Sequence, residues 1–213
     1  MYTLEIGSDS YTIDGDWTVK EWMELRKYDV SMELLWPRII SEASGAPIEV
    51  CVEIPTETLQ VGVALVGSLM QPAWHKPKKR LFDGKLVEFE KMTIGTFIDC
   101  ETAVGRGIDK WLHLLVASLY NVEMENTKTW KIESVWGAVH NYLNWRLEVY
   151  KKYDSLFEFE ESAEEATQNS QDAAYAWYDM LMVLADEKFL NIKDTVERQV
   201  YEALNYIAWK KDM

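Results

Sequence analysis

The side chains of this chain that are best suited to chemistry are concentrated in residues 92–115, MTIGTFIDCETAVGRGIDKWLHLL. The run contains one thiol, a pair of glycines two residues apart, one imidazole and several carboxylates, namely Cys100, Gly105, Gly107, His113, Asp99, Glu101 and Asp109. A thiol near an imidazole can act as a nucleophile, a glycine-rich turn can hold phosphate, and Asp and His four residues apart can bind a metal. Each of these functions needs a particular structural element to position the residues.

The glycines of GRGIDK do not complete a dinucleotide-binding motif. That motif needs a third glycine where Lys110 stands and a parallel strand before the first glycine. The preceding segment instead has the pattern of a short helix that begins after Thr93, a good N-cap residue. We therefore predict that Gly105 and Gly107 end this helix and form a corner before the next one.

The two cysteines, Cys51 and Cys100, are predicted to be buried thiols without a chemical role. Two cysteines are too few for a disulfide framework and are typical of a reducing cytosol. Cys100 falls in the middle of the predicted helix, and free cysteines most often pack as small apolar residues. The alternative is a nucleophilic Cys100 paired with His113 or His140, which would make the protein an enzyme.

Asp109 and His113 are predicted to form an ion pair on the surface of a helix. Their spacing would also suit a metal site, but a metal needs further ligands. The remaining histidines, His75 and His140, fall in a basic loop and on a polar helix face. The carboxylates are plentiful, and many lie in acidic runs typical of solvated surface. We therefore expect no metal, no cofactor and no enzymatic activity.

The first part of the chain alternates strand and helix signals. Alternating apolar residues around GSDS predict a β-hairpin over residues 2–13, and Thr18 is expected to cap the helix that follows. A second helix is predicted over residues 31–44, bent or split at Pro37 and ended by Gly45. The alternation in IEVCVEI, residues 48–54, favours a strand, although a helix remains possible in so short a window.

A long apolar segment and a second hairpin follow. Residues 56–70 are predicted to form an apolar helix, uncharged over residues 59–70, which is buried on several faces or buries its second face in a partner. Residues 71–80 form an exposed basic loop, and Asp83-Gly84 predicts the turn of a hairpin near residues 81–90. The segment VEFEKMTIGTFI echoes YTIDGDWTVKEWM, since both have strand signals followed by Thr-Val/Ile-x-x-aromatic, a common pattern at the start of a helix.

The rest of the chain has the periodicity of amphipathic helices. Apolar residues recur at helical spacing over residues 108–119, 132–150, 177–184 and 196–207, and the acidic residues 158–171 are expected to be an exposed linker or a frayed helix end. The predicted fold is α+β and predominantly α-helical, with hairpins near residues 2–13 and 81–90 and a C-terminal helical bundle. A small α+β region, 1–91, would precede a helical region, 92–213, or the two would form one continuous domain.

The composition limits the partners that we expect. A net charge of -14 disfavours nucleic acid, because phosphate backbones repel an acidic surface. Residues 59–70 are the most apolar window and are too short to cross a bilayer, and no targeting segment is visible. Ten Trp and eleven Tyr imply large buried contacts, either inside the fold or with partners.

Three segments resemble virion-assembly proteins of tailed bacteriophages. They are YTIDGDWTVKEWMELRKYD, the run MTIGTFIDCET with the helix WLHLLVASLY, and the closing segment AWYDMLMVLADEKFLNIKDTVERQVYEALNYIAWKKD. Similar segments occur in tail assembly chaperones and in related proteins of the virion structural gene cluster. The resemblance covers about half of the chain and implies no catalytic residues.

The resemblance implies a non-enzymatic protein that acts in virion or tail assembly by binding other virion proteins, such as tail, tape-measure or connector proteins. The alternative is a structural component of the virion, namely a connector, a vertex protein or packaged cargo. Both place the protein in the host cytoplasm during assembly or in the virion, without a membrane or direct nucleic-acid contact, and both allow a homo-oligomer. The candidate partner-binding residues are the cations Lys76, Lys78, Lys79 and Arg80 and the acidic residues Glu158, Glu160 and Glu161.

Overall fold

The computed structural model describes residues 2–6, 9–71, 75–157 and 169–211. It is 65% helical and contains two small antiparallel sheets of two strands each, which confirms the predicted, predominantly helical α+β class. Within the described ranges, no helix is long and apolar enough to cross a membrane.

The N-terminal hairpin and the first helix agree with the sequence pattern. Strands β1 (Tyr2–Ile6) and β2 (Asp9–Ile13) pair in antiparallel register, and Leu4 and Ile13 are buried beneath them. Helix α1 (Val19–Leu25) begins with a complete capping box, because Thr18 accepts from the amide of Glu21 and the Glu21 carboxylate accepts from the amide of Thr18.

The next two helices differ from the prediction in their boundaries and type. Pro37 lies in the first turn of α2 (Trp36–Ser44), after a 3-10 turn at Glu33–Leu35, so it opens the helix and does not bend it. The predicted strand at 48–54 is wrong, because the segment forms a helical turn, α3 (Ile48–Cys51). Cys51 and Ile54 are buried while Val52 is exposed, so burial there follows helical spacing.

Helix α4 (Thr56–Leu69) covers one side of the core. Its buried face packs on α2, where Gly62 allows the close approach of Ile40. Its opposite face is open, with Val61 exposed. The prediction that this helix is buried on several faces is therefore wrong, and its apolar character on the outer side comes mostly from small residues.

The second hairpin is shorter than predicted, and its turn is displaced by one residue. Strands β3 (Arg80–Leu81) and β4 (Gly84–Lys85) pair Leu81 with Gly84, so the turn residues are Phe82 and Asp83. Gly84 is needed in the strand because an added Cβ would lie 3.0 Å from side-chain atoms of Tyr120 and Val122. Residues 89–91 form a 3-10 turn where the sequence suggested strand.

Residues 92–115 form a corner between two helices, as predicted. Thr93 caps α5 (Ile94–Gly105), and Gly107, with φ +96°, precedes α6 (Ile108–Tyr120). Two further helices follow, a short α7 (Met124–Thr127) and a long α8 (Ile132–Lys152).

Three helices close the described chain: α9 (Asn169–Leu184), α10 (Ile192–Val196) and α11 (Val200–Lys211). A 3-10 turn, Phe189–Asn191, separates α9 from α10. Most of the predicted acidic linker, residues 158–168, lies outside the described residues.

Helix starts that are distant in sequence are joined in pairs by backbone hydrogen bonds. At the starts of α1 and α8, the amide of Val19 donates to Trp130 and the amide of Ile132 donates to Trp17. At the starts of α5 and α11, the amide of Ile94 donates to Arg198 (2.7 Å), and that of Val200 donates to Met92 (2.9 Å). The two Thr-capped segments that echo each other in sequence therefore make equivalent bonds. One apolar core draws residues from both predicted regions, whose division into domains stays a prediction.

Candidate functional site

A buried ion cluster lies between α5 and α8. The carboxylate of Glu101 accepts hydrogen bonds from Nε of Arg146 at 2.7 and 2.8 Å, and from the hydroxyl of Tyr142 at 2.6 Å. The Tyr150 hydroxyl also donates to this carboxylate and accepts from Nη2 of Arg146 at 3.1 Å. The Glu101 side chain is only 3% exposed, so its charge is balanced inside the protein.

The pKa values of the tyrosine hydroxyls in the cluster and of the neighbouring thiol are raised. Burial, the first cause, and the nearby Glu101 carboxylate raise the pKa of the Tyr142 and Tyr150 hydroxyls. The neighbouring Cys100 is fully buried, and burial raises the pKa of its thiol well above the usual value, so the reactive thiolate is disfavoured. The arrangement therefore suits a fixed link between two helices, in agreement with the predicted packing role of Cys100.

The burial of Glu101 was not predicted from the sequence. The signal was its position, because Glu101 lies four residues after Phe97 and seven after Ile94, on the face that α5 buries. A carboxylate at such a position requires partners from another element. Arg146 and Tyr150 of α8 meet this need at a spacing of four residues.

The predicted ion pair between Asp109 and His113 is wrong. The Asp109 carboxylate instead pairs with the guanidinium of Arg26 in α1, with both hydrogen bonds at 2.9 Å. His113 stacks on Trp111, with ring centroids 5.9 Å apart, and its Nδ1 has no hydrogen-bond partner within the described part of the chain. Burial lowers the pKa of His113, which favours the neutral imidazole. Helix α6 is kinked between the two residues, where Trp111 leaves the helical conformation.

The basic residues that were predicted to bind a partner lie on the surface. Lys76, Lys78, Lys79 and Arg80 are all exposed, and they lead directly into β3. His75 is exposed beside them, whereas His140 is half-buried on α8 and contacts the side chain of Asn144. The acidic residues of the same prediction, Glu158, Glu160 and Glu161, lie outside the described residues.

An exposed apolar surface near the end of the chain was not predicted. Phe189 and Leu190 are 70% and 88% exposed, Tyr206 and Trp209 are exposed as well, and we call these four residues together the C-terminal apolar surface. The sequence placed FLNIKDT in a turn but gave no sign that its apolar residues face outwards.

A cleft with a volume of about 560 Å³ lies between β4, the start of α5 and the end of α6. Its cations Lys85 and Lys91 both contact Glu88, at 4.0 and 2.5 Å. The first amide of α5, that of Ile94, already donates to Arg198. The cleft therefore has a balanced polar lining and no free helix amide at Ile94 for an anion.

Among the described residues, no three His, Cys, Asp or Glu side chains are grouped so that they could hold a metal ion. Comparison with known proteins gave no similar protein: no family model, no curated protein and no solved structure matches the chain.

Proposed function

We propose that this chain is a non-enzymatic protein that acts in the assembly of a tailed-bacteriophage virion by binding another virion protein. The proposal starts from the resemblance of three sequence segments to proteins of that class. The observation that carries it is the C-terminal apolar surface, where four large apolar side chains lie in contact with solvent.

The four side chains come from adjoining elements. Phe189 and Leu190 lie on the turn after α9, and Tyr206 and Trp209 lie on α11 with ring centroids 5.8 Å apart. The pKa of Asp186 is lowered first by its hydrogen bond to Lys188 and to a smaller extent by the charge of Lys210. Helix α11 also contacts α9, the helix that leads into this turn.

The residue types of this surface favour protein binding. Large apolar and aromatic side chains provide most of the binding energy of protein interfaces, and each contributes about 1.5–3 kcal/mol when it is fully buried. Exposed apolar patches of this kind are typical of interaction sites. The strong negative charge of the chain would keep such a protein soluble until it meets its partner.

The polar chemistry of the fold supports a binding function more than a catalytic one. Glu101 is satisfied by Arg146 and by two tyrosine hydroxyls, and Cys100 is enclosed in the core. A general base or a nucleophile has to reach a substrate, and neither side chain is open to one.

The first experiment tests whether the protein takes part in assembly and whether it remains in the particle. Particles and infected-cell lysate of the phage that encodes the chain are analysed by quantitative mass spectrometry. Co-purification with tagged tail, tape-measure and connector proteins is measured in the same lysate. A complex in the lysate without incorporation supports an assembly factor, whereas a fixed ratio to the major capsid protein supports the alternative of a virion component. The proposal is contradicted if the chain is found neither in such a complex nor in particles, or if no phage encodes it.

A matched pair of variants tests the surface itself. The double substitution Leu190→Glu and Trp209→Glu places two charges in the C-terminal apolar surface. Val52→Glu places a charge at a similarly exposed apolar position just after α3. We expect the double variant to lose the complex and Val52→Glu to keep it, with unchanged thermal unfolding in both. A double variant that still forms the complex would show that the partner binds elsewhere.

A further inference from the structure

A second exposed surface, distinct from the C-terminal apolar surface, concentrates positive charge on an otherwise acidic protein. We call residues 76–85 the basic hairpin, because they contain β3, β4 and the segment before them. Its cations are Lys76, Lys78, Lys79, Arg80 and Lys85, all exposed. The whole chain has a net charge of -14, so these residues form a local region of opposite sign.

The backbone of the basic hairpin is held in place from several sides. The buried Tyr120 hydroxyl donates to the carbonyl of Lys78 at 2.9 Å, and the amide of Leu86 donates to the carbonyl of Lys79 at 3.0 Å. The Lys78 ammonium donates to the hydroxyl of Ser134 on α8 at 2.8 Å. The cations are therefore presented on a fixed backbone, and a preorganised surface loses less conformational entropy on binding.

The tip of the hairpin carries an exposed aromatic side chain in an unusual conformation. Phe82 has φ +51° and is 79% exposed, and its ring stacks on that of Trp130 with centroids 5.4 Å apart. A bulky residue in the left-handed region is strained, and such strain is found preferentially at functional sites. The surface thus combines a row of cations with one apolar contact point.

We infer that the basic hairpin is a docking surface for an acidic segment of a protein partner, one that pairs its carboxylates with the cations and covers Phe82 with an apolar side chain. The inference rests on the proposed function in taking the chain to be a protein-binding protein, and it adds the chemistry of a second contact. Charge complementarity selects the partner, because carboxylates match Lys79 and Arg80 while Phe82 needs an apolar neighbour.

A polypeptide fits this surface better than a nucleic acid does. Asp83 and Glu88 lie within or beside the hairpin, and Lys85 and Lys79 already act on the Glu88 carboxylate. A long phosphate backbone would meet these carboxylates and the acidic surface beyond them. A short acidic segment needs to contact only the cations and Phe82.

The binding test uses a fluorescent peptide with the sequence EFEESAEEAT, which contains five glutamates and one phenylalanine and is identical to residues 158–167. Anisotropy is measured with the full-length protein at low salt, and QFQQSAQQAT serves as the uncharged control peptide. We expect the acidic peptide to bind at least about tenfold more tightly than the control and to weaken as salt is raised. Equal binding of both peptides, or none, overturns the inference, as does tighter binding of a ten-nucleotide oligothymidylate.

Charge reversal locates the contact. Lys79→Glu with Arg80→Glu is expected to weaken binding of EFEESAEEAT at least about tenfold, and Phe82→Ala about threefold. The matched control reverses two exposed lysines outside the hairpin, Lys110→Glu with Lys151→Glu, and should change the affinity less than about twofold. Equal losses of peptide affinity in both double variants would mean that only the net charge of the protein matters, and this would overturn the inference.

The two proposals fail separately. The variant Leu190→Glu with Trp209→Glu should bind the acidic peptide like the unmodified protein, because it leaves the basic hairpin intact. Loss of peptide binding in that variant would contradict the assignment to the hairpin. Retained peptide binding without any virion complex would contradict the proposed function alone. Circular dichroism on every variant excludes loss of the fold as the cause.

Discussion

The guanidinium of Arg146 lies against the carboxylate of Glu101, with its Nε 2.7 Å from one oxygen and 2.8 Å from the other. Glu101 belongs to α5 and Arg146 to α8, so the pair joins two helices that are separated by the glycine corner and by α6. Because Glu101 is buried, its partners matter more for the fold than the exposed ion pairs of the surface do.

Replacing Glu101 by Gln should destabilise the protein by about 3 kcal/mol, because it leaves the partly buried guanidinium of Arg146 without a counter-charge. Urea unfolding measures this loss. The control is Glu148→Gln, at an exposed position of α8, the helix that carries Arg146. It should change the free energy of unfolding by less than about 0.5 kcal/mol. Similar effects of the two substitutions would contradict a structural role of the cluster.

Gly137→Ala should loosen the segment that leads into the basic hairpin. A Cβ at position 137 would lie 2.2 Å from the carbonyl oxygen of His75, a backbone atom that cannot simply rotate away. We expect a loss of about 1–3 kcal/mol in thermal unfolding and faster trypsin cleavage after Lys78 and Lys79.

The control for this experiment is Gly67→Ala in α4, where nothing lies within 4 Å of the added Cβ. This substitution should stabilise the protein by about 0.5–1 kcal/mol, since alanine favours a helix more than glycine does. Unchanged proteolysis in Gly137→Ala would mean that the segment is not held by its contact with α8.

Alkaline pH should destabilise the fold through its buried tyrosines. Burial raises the pKa of Tyr120 from 10.0 to about 12, so the folded state holds the proton more tightly than the unfolded state. The stabilisation is complete below pH 10 and is lost as the pH rises through about 12. Urea unfolding across this range should show a smaller dependence on pH in Tyr120→Phe. An identical dependence in the variant would show that Tyr120 does not contribute.

The two thiols should be inert in the folded protein. Cys51 and Cys100 are free and buried, and burial raises the pKa of both. We expect a thiol reagent such as DTNB to label neither at neutral pH, and to label both once urea unfolds the chain. Rapid labelling of Cys100 in the native protein would reopen the hypothesis of a nucleophilic cysteine.

Local signals in the sequence were sufficient for the starts of α1 and α5. Thr18 and Thr93 cap helices where the sequence predicted, because a hydroxyl that accepts from the helix amides acts within a few residues. The segment at 48–54 misled the prediction because alternation over a few residues does not distinguish a strand from one turn of helix. The turn of the second hairpin lies one residue earlier than predicted because Gly84 belongs to the strand. There it packs closely against Tyr120 and Val122, which are distant in sequence.

The features of the candidate sites were harder to predict because they depend on tertiary contacts. The partners of Glu101 lie more than forty residues away in sequence, and Asp109 pairs with Arg26 across 83 residues. No spacing rule within one helix could have assigned these pairs. The basic residues 76–80 could be located in sequence because they are consecutive, but the contacts that fix their backbone could not.

The paired helix starts impose an order on folding during synthesis. The start of α1 bonds to residues 130–132, and the start of α5 bonds to residues 198–200, so the two pairs interleave along the chain. While a ribosome makes this protein, the first pair cannot close until α8 begins to emerge, and the second cannot close until residues 198–200 have emerged. The side of α5 that packs on α9, α10 and α11 stays uncovered during that interval, so the nascent polypeptide presents apolar surface that a chaperone can bind.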